Sequence, residues 1–135
     1  MKIHFAKSSC QPITPSTHYH ISVLAHYAMQ KQIEKDMVSE RIVQVVKTIY
    51  DPEIPVNIYD LGLIYSIRVD DDFVAHVTMT LTAPNCPVAE SLPIEVHEAV
   101  KNVEGVTDSK VTLTFEPPWD RNMISESGML ELGFL

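Results

Sequence analysis

Cysteine, positive charge and long apolar runs are all scarce in this sequence. The two cysteines, Cys10 and Cys86, lie far apart and form neither a CxxC motif nor the spacing of a zinc ribbon. No apolar run approaches the roughly 18–20 residues that are needed to cross a bilayer. The sequence therefore excludes a zinc-ribbon fold, and we expect no membrane partner.

The shortage of positive charge also limits the classes of partner that we expect. Lys and Arg together number 10 against 18 Asp and Glu, which gives a formal net charge of −8. Nucleic acids bind proteins chiefly through phosphates that attract Lys and Arg, so we expect no nucleic-acid partner. The length of 135 residues and a hydrophobic fraction of 45% predict one soluble domain with a modest core.

A targeting segment is also lacking. The apolar stretch at 21–29 follows a polar, proline-containing segment, unlike a signal peptide, and residues 1–36 contain no Arg, unlike a mitochondrial presequence. We therefore expect a cytoplasmic protein, and in the reducing cytoplasm Cys86 would be a free thiol.

Residues 1–36 differ in composition from the rest of the chain. They carry about +2 of formal charge, which leaves −10 for residues 37–135. His18 and His20 have no neighbours in sequence that complete a metal-ligand set. We predict an N-terminal extension of unknown role over 1–36, with a helix possible at 21–29, and a functional domain over 37–135.

From Met37 onward the apolar spacing predicts regular elements. Ser39 is a favourable N-cap for a helix that ends near Tyr50, before Asp51 and Pro52. Alternating apolar and polar residues predict strands at 63–69, 73–81 and 111–115, with the first two joined by a hairpin turn at 70–72.

A second helix is predicted between the last two strands, and a third after them. Apolar residues recur every three or four positions from Val88 to Val103; Gly105 would end this helix, and Pro93 would kink it. Ser125 and Gly133 would bound the last helix. The order α-β-β-α-β-α predicts a two-layer α+β fold, with a small three-stranded sheet, mostly antiparallel or mixed, and helices on one face.

Cys86 stands in the segment TAPNCPVAES, residues 82–91, between two predicted elements. Pro87 suits the first position of a helix, which would make Cys86 the N-cap residue. Helical amide groups and the helix dipole would then lower the pKa of the thiol, so that it could act as a nucleophile or a soft metal ligand. The alternative is a small buried cysteine that fills a loop.

A second polar cluster, DPEIPVNIYDLG, occupies residues 51–62. Asp51, Glu53 and Asp60 fall in a loop between an apolar helix and an apolar strand. These carboxylates either contribute to a site or serve as turn and capping residues, Asp51 with Pro52 and Asp60 ahead of Gly62.

Several motifs together resemble those of the SufT-like iron–sulfur assembly family, whose domain also occurs in PaaD proteins and in the eukaryotic cytosolic iron–sulfur targeting factors. The residues that carry the resemblance read DPEIPVNIYDLGLIY, TMTLTAPNCPVAESLP, VEGV, VTLTFEPPWD, MISESG and LELG. The similarity runs from about Met37 to the C-terminus. The cysteine cluster that ends PaaD proteins is missing here, so the phenylacetate-oxygenase branch is disfavoured.

The resemblance implies a small α+β domain that assists cluster transfer to apoproteins in a SUF-type system and is not an enzyme. It implies a cluster or partner site, with Cys86 as an iron ligand or as a contact to a scaffold cysteine. The implied site residues are Asp51, Glu53, Thr82 and Cys86, walled by Pro84, Pro117, Pro118 and Trp119. Ala83 stands where many relatives have a second threonine or a small residue.

The same resemblance implies iron or an iron–sulfur cluster held transiently, and partners that are scaffold or carrier proteins and client apoproteins. One thiol cannot hold a cluster that usually takes four ligands, so a homodimer or a partner's thiol would complete the shell. Two other functions stay open: an enzyme in which His76 or His97 activates Cys86, and an adaptor that binds no cluster. For His97, which lies off the apolar stripe, we expect a solvent-facing position.

Overall fold

The helices and strands follow one another in the predicted order. A computed structural model describes residues 17–85 and 90–134, with side chains from residue 21 onward. The elements are α1 (Thr17–Val46), β1 (Ile64–Val69), β2 (Val74–Met79), α2 (Ser91–Lys101), β3 (Asp108–Leu113) and α3 (Glu126–Glu131), with a 3₁₀ turn at Arg121–Met123 before α3. The predicted α+β class and element order are confirmed.

The three strands form one mixed sheet in the order β1-β2-β3. The predicted hairpin is confirmed, because β1 and β2 pair antiparallel across the turn at 70–72. Asp70 stabilises this turn: its Oδ1 accepts hydrogen bonds from the amides of Asp72 and Val74, each at 2.9 Å. β3 pairs parallel to β2, since the chain crosses over through α2.

One face of the sheet packs against α1 and α2. The inward residues of β2, which are Ala75, Val77 and Met79, are essentially inaccessible to solvent. They share one core with apolar side chains of both helices, namely Val38, Ile42 and Val46 of α1 and Leu92, Val96 and Val100 of α2. Alternation with a period of two therefore correctly marked the buried face of the sheet.

Helix α1 is longer than predicted. Ser39 lies inside the helix and does not cap it, and the helix ends at Val46, before Tyr50. The physical reason is that no Pro or Gly interrupts residues 17–46, so nothing stops the helix from extending toward the N-terminus. Its first part exposes large apolar side chains, which are Ile21, Val23, Leu24, Tyr27 and Met29.

The chain divides into two compact units, Met1–Gln32 and Ile33–Leu135. Helix α1 runs without a break through Met37, so the change of composition at that residue does not coincide with the end of an element. The extension over 1–36 and the domain over 37–135 stay a prediction. Within the described ranges, no helix has both the length and the apolar character that a membrane span requires.

Helix α2 is shorter than predicted at its N-terminus. It begins at Ser91 after Glu90, which makes no side-chain capping hydrogen bond, so the predicted start at Pro87 is wrong. Pro93 is consequently the third residue of the helix. Because amides of the first turn have no intrahelical acceptor, Pro93 costs no hydrogen bond there, and the basis for the predicted kink disappears.

Candidate functional site

The loop that begins at Asp51 is organised by that residue. Asp51 is 7% exposed, and its Oδ1 accepts hydrogen bonds from the amides of Glu53 at 2.8 Å and Ile54 at 3.0 Å. This turn chemistry explains why an aspartate precedes Pro52. Glu53 contributes its amide to the same turn, while its side chain lies at the surface. Asp51 therefore has a structural role in the loop, whatever further role its carboxylate has.

Asp60 joins this loop to the C-terminal part of the chain. Its Oδ2 accepts a hydrogen bond from Asn57 Nδ2 at 2.7 Å, and its Oδ1 accepts one from Ser125 Oγ at 2.8 Å. Burial acts to raise the pKa of Asp60, but the hydrogen bonds from Asn57 and Ser125 and the charge of Lys47 outweigh it and leave the pKa below its ordinary value. The ionised carboxylate is thus the form that holds the two segments together.

The two residues after Asp60 contact the same C-terminal segment, residues 116–128. The Leu61 carbonyl accepts a hydrogen bond from Trp119 Nε1 at 2.8 Å. Gly62 has φ +80°, and a Cβ there would collide with the backbone carbonyl of Met123. A side chain at position 62 is therefore excluded both by backbone conformation and by space.

Three of the four wall residues suggested by the resemblance belong to this segment. Pro117 and Pro118 are exposed, and Trp119 is half-buried. The Pro117 carbonyl accepts a hydrogen bond from Tyr65 Oη at 2.6 Å, which fixes the segment against β1. Among the predicted wall residues, Pro117 and Trp119 are thus held in place by the end of the acidic loop and the strand that follows it.

The cysteine-bearing segment begins where β2 leaves the sheet, beside the end of the acidic loop. The amide of Thr80 donates to the Leu63 carbonyl at 2.8 Å, and the amide of Thr114 donates to the Met79 carbonyl at 2.9 Å. The end of β2 is therefore hydrogen-bonded to the ends of both the acidic loop and β3. Thr82 is half-buried just beyond this point.

Further along the segment, Pro84 is exposed. Cys86, the residue singled out for its chemistry, lies outside the described residues together with 87–89. The structure thus brings together the end of the acidic loop, the start of the cysteine segment and the end of β3, while the meeting of Cys86 with Asp51 or Glu53 stays a prediction. The N-cap argument for a lowered thiol pKa no longer applies, because α2 begins at Ser91.

Sequence reasoning missed the partners of Asp60 and the purpose of Gly128. A Cβ at Gly128 would lie 2.8 Å from Ile124 Cγ2 and 3.1 Å from the Asp60 carbonyl, so glycine permits the close approach of α3 to the loop. The sequence signals available were Ser125, correctly predicted as the cap of α3, and an otherwise unfavourable glycine inside a short helix.

Both candidate bases have hydrogen-bond partners. His76 Nε2 lies 2.9 Å from Asp70 Oδ2, and this hydrogen bond is the main reason why the pKa of Asp70 is below its ordinary value. His97 Nδ1 lies 2.9 Å from the Oγ of Ser109, a buried residue of β3. The expectation that His97 simply faces solvent is therefore wrong, because the inward position of Ser109 provides it with a partner.

The part of the chain that the structure describes contains no group of three or more His, Cys, Asp or Glu residues placed to hold a metal ion. Two surface grooves of about 360 Å³ each occur elsewhere, one between α1 and β1 and one between α1 and the turn that contains Phe73. Neither groove is lined by a predicted site residue. The described carboxylates thus do not form a ligand set by themselves.

Comparison with known proteins gives consistent matches to one group. Residues 39–113 match the family model described as iron–sulfur cluster assembly protein. A protein of Porphyromonas gingivalis named Fe-S protein maturation auxiliary factor is 57% identical over 96 residues, which cover 71% of this chain and 91% of that protein. The similarly named YitW of Bacillus subtilis is 35% identical over 99 residues, covering 73% of this chain and 97% of that protein.

Solved structures share the fold. The crystal structure of a domain of unknown function from Bacillus anthracis superposes with a TM-score of 0.71 at 28% identity, over 77% of this chain and 99% of that one. A conserved hypothetical protein from Thermotoga maritima superposes with a TM-score of 0.61 at 36% identity, over 70% of this chain and 92% of that one.

Proposed function

Because this chain belongs to the iron–sulfur cluster assembly protein family, we propose that it is a maturation factor that helps to deliver iron–sulfur clusters to apoproteins through Cys86. The observation that carries the proposal is the match over residues 39–113 together with 57% identity to a protein named as such a factor. The proposed factor is not an enzyme and acts in the cytoplasm, where a reducing environment keeps the thiol free.

In this proposal the cluster is a cargo and Cys86 is its transient ligand. A thiolate is a soft donor that suits iron, whereas carboxylates are weaker supplementary ligands. Clusters usually take four protein ligands, so thiols of a scaffold, a client or a second copy of this chain would supply the remainder. The partners are accordingly scaffold or carrier proteins and client apoproteins.

The frame around the cysteine segment supports this role. Hydrogen bonds at Thr80 and Thr114 anchor the end of β2, from which the segment emerges, and the contacts of Asp60, Leu61 and Tyr65 hold the neighbouring C-terminal segment. A site carried on a rigid frame can present one ligand reproducibly to different partners. Of the two acidic residues, Glu53 is the better supplementary ligand, because Oδ1 of Asp51 already accepts two amide hydrogen bonds.

The test is anaerobic reconstitution of the full chain with iron and sulfide. We compare the unchanged protein with Cys86→Ser and with Cys10→Ser, which removes the only other thiol. Visible absorbance from sulfur-to-iron charge transfer is expected in the unchanged protein and in Cys10→Ser, and its loss is expected in Cys86→Ser.

Delivery is then measured by the activity of an iron–sulfur enzyme in cells that lack the protein. Equal absorbance and equal rescue by Cys86→Ser would overturn the proposal. Rescue that depends on Cys86 without any bound cluster would leave the thiol as a contact of an adaptor and would overturn its role as a cluster ligand.

A further inference from the structure

The face of the sheet that points away from the core has an ordered chemistry. Arg68 of β1 pairs with His76 of β2, which pairs with Lys110 of β3, so three basic side chains stand side by side across the sheet. The neighbouring row of paired residues consists of hydroxyl side chains, namely Ser66, Thr78 and Thr112. We call these six residues the outer face.

The described residues supply a counter-ion to only one member of the basic row. Arg68 and Lys110 stand on the two strands that flank β2, one on each side of His76. His76 is hydrogen-bonded to Asp70 at 2.9 Å, but neither Arg68 nor Lys110 forms an ion pair or hydrogen bond with any residue in the described ranges. Asp108, which pairs with Val74 at the edge of the outer face, directs its Oδ1 to the amide of Ser109 at 2.8 Å. Among the described residues, these two exposed cations thus have no counter-ion, although the full sequence carries a net charge of −8.

The outer face differs in charge from the rest of residues 37–135. Residues 37–135 carry a formal charge of −10 and contain six Lys and Arg in all. Two of these six stand in one row of the sheet, while Arg41 donates to the Glu104 carbonyl and Lys47 lies over the ring of Tyr59. The outer face is therefore a local concentration of free positive charge on an acidic domain.

We propose that the outer face docks an acidic segment of a partner protein, with carboxylates over Arg68 and Lys110 and hydrogen bonds to the hydroxyl row. Strands lie about 4.8 Å apart, so Arg68 and Lys110 are separated by about 10 Å of backbone across β2. On a segment in the polyproline II conformation, two carboxylates three residues apart lie on the same side at about 9 Å. A single small anion matches this separation less well.

The chain's own N-terminal region is a poorer occupant. Residues 1–36 carry about +2 of formal charge, which repels the same row that attracts an acidic segment. This docking does not depend on cluster binding at Cys86, so it can fail or succeed independently of the proposed function.

The experiment titrates the full chain with an acetylated octaglutamate peptide at low and high salt, using calorimetry and amide chemical shifts. The test variant is Arg68→Glu with Lys110→Glu. The matched control is Lys101→Glu with Arg121→Glu, which makes the same change of charge at two exposed positions off the outer face. We expect at least a tenfold loss of affinity in the test variant, less than twofold in the control, and shifts confined to β1, β2 and β3.

Other outcomes overturn the proposal. Equal losses in both variants would mean that the peptide senses only net charge, and shifts outside the outer face would place binding elsewhere. Displacement of the peptide by inorganic phosphate, at a phosphate concentration equal to that of the peptide's carboxylates, would make the face a small-anion site. If sedimentation shows that the unchanged protein is a dimer and the test variant is a monomer, the occupant of the outer face would be a second copy of this chain. If the double Glu variant does not fold, Arg68→Gln with Lys110→Gln replaces it, with Lys101→Gln and Arg121→Gln as the control.

Discussion

At the scale of single residues, the Asp60 carboxylate joins the acidic loop to the C-terminal segment. It bonds to Asn57 inside its own loop and to Ser125, which lies 65 residues further along the chain. Both partners donate hydrogen bonds, so both favour the ionised form and lower the pKa. This one side chain therefore couples protonation to the attachment of the C-terminal segment.

The first prediction concerns Asp60→Asn. Hydrogen bonds to a charged acceptor contribute about 1.5–3 kcal/mol each, and the amide can replace them only in part, so we expect a loss of about 1–2 kcal/mol at pH 7. Because the pKa of Asp60 is depressed in the folded state, its stabilisation is full above the ordinary value of 3.8 and is lost as the pH falls through the folded-state pKa. The gap between variant and unchanged protein should thus narrow below pH 3.8.

Urea unfolding at pH 7 and at about pH 2.5 measures both effects. Glu104→Gln is the control, since it removes one exposed carboxylate and should change stability by less than about 0.5 kcal/mol. A gap for Asp60→Asn that stays constant with pH would contradict a role for the ionised form.

The second prediction separates structure from function in the acidic loop. Asp51→Asn keeps an Oδ1 that can accept from the amides of Glu53 and Ile54, so stability should be nearly unchanged, whereas Asp51→Ala should lose about 1–2 kcal/mol. If the carboxylates serve the cysteine site, Asp51→Asn and Glu53→Gln should reduce client maturation in a fold that melts normally.

Thermal unfolding and the activity of a client iron–sulfur enzyme are measured on the same variants. If the protein with both Asp51→Asn and Glu53→Gln restores full activity of the client enzyme, the two residues serve only to form the turn.

At the scale of elements, the contact that positions the C-terminal segment is its packing against the acidic loop and β1. Asp60, Leu61 and Gly62 each contact a different part of that segment. The loop is thus the surface on which the chain end is packed, as well as the candidate site. A local change in this loop is therefore expected to move the wall of the cysteine segment.

The third prediction tests that packing through Tyr65→Phe. The change removes the hydrogen bond from Tyr65 Oη to the Pro117 carbonyl and should cost about 1 kcal/mol. Tyr27→Phe is the matched control, because Tyr27 is 65% exposed on α1 and should give no measurable change. Urea unfolding measures both, and equal effects would show that the contact at Pro117 does not hold the segment.

At the scale of the whole molecule, the predicted domain boundary at Met37 falls inside α1, which starts at Thr17. The unit Ile33–Leu135 contains every buried apolar core residue that the structure describes. It also contains Lys35, whose Nζ lies 2.9 Å from Asp71 Oδ1 in the hairpin turn. No described residue before Ile33 belongs to this core.

The fourth prediction follows for shortened chains. A chain that begins at Ile33 should fold and melt within about 3 °C of the full protein, since no buried core residue is lost. A chain that begins at Met37 also loses the ion pair of Lys35, which is worth at most about 1 kcal/mol at the surface, so its melting temperature should be only slightly lower. Aggregation or a drop of tens of degrees for the Ile33 chain would show that residues 1–32 stabilise the domain.

The sequence by itself determined the class of fold, the element order and the buried strand face. These follow from local rules, because a period of two or of 3.6 in apolar residues needs no knowledge of distant neighbours. The hairpin at 70–72 and the cap at Ser125 are local for the same reason, since their donors and acceptors lie within a few residues. The family was identified from local motifs as well.

Tertiary structure alone decided where α2 begins and what the acidic loop contacts. The helix that packs on the sheet begins at Ser91, four residues after the proline that suited a helix start. The bond between Asp60 and Ser125 and the space kept open by Gly128 join segments more than 60 residues apart. Such contacts depend on how elements pack in three dimensions, which no spacing along the chain encodes directly.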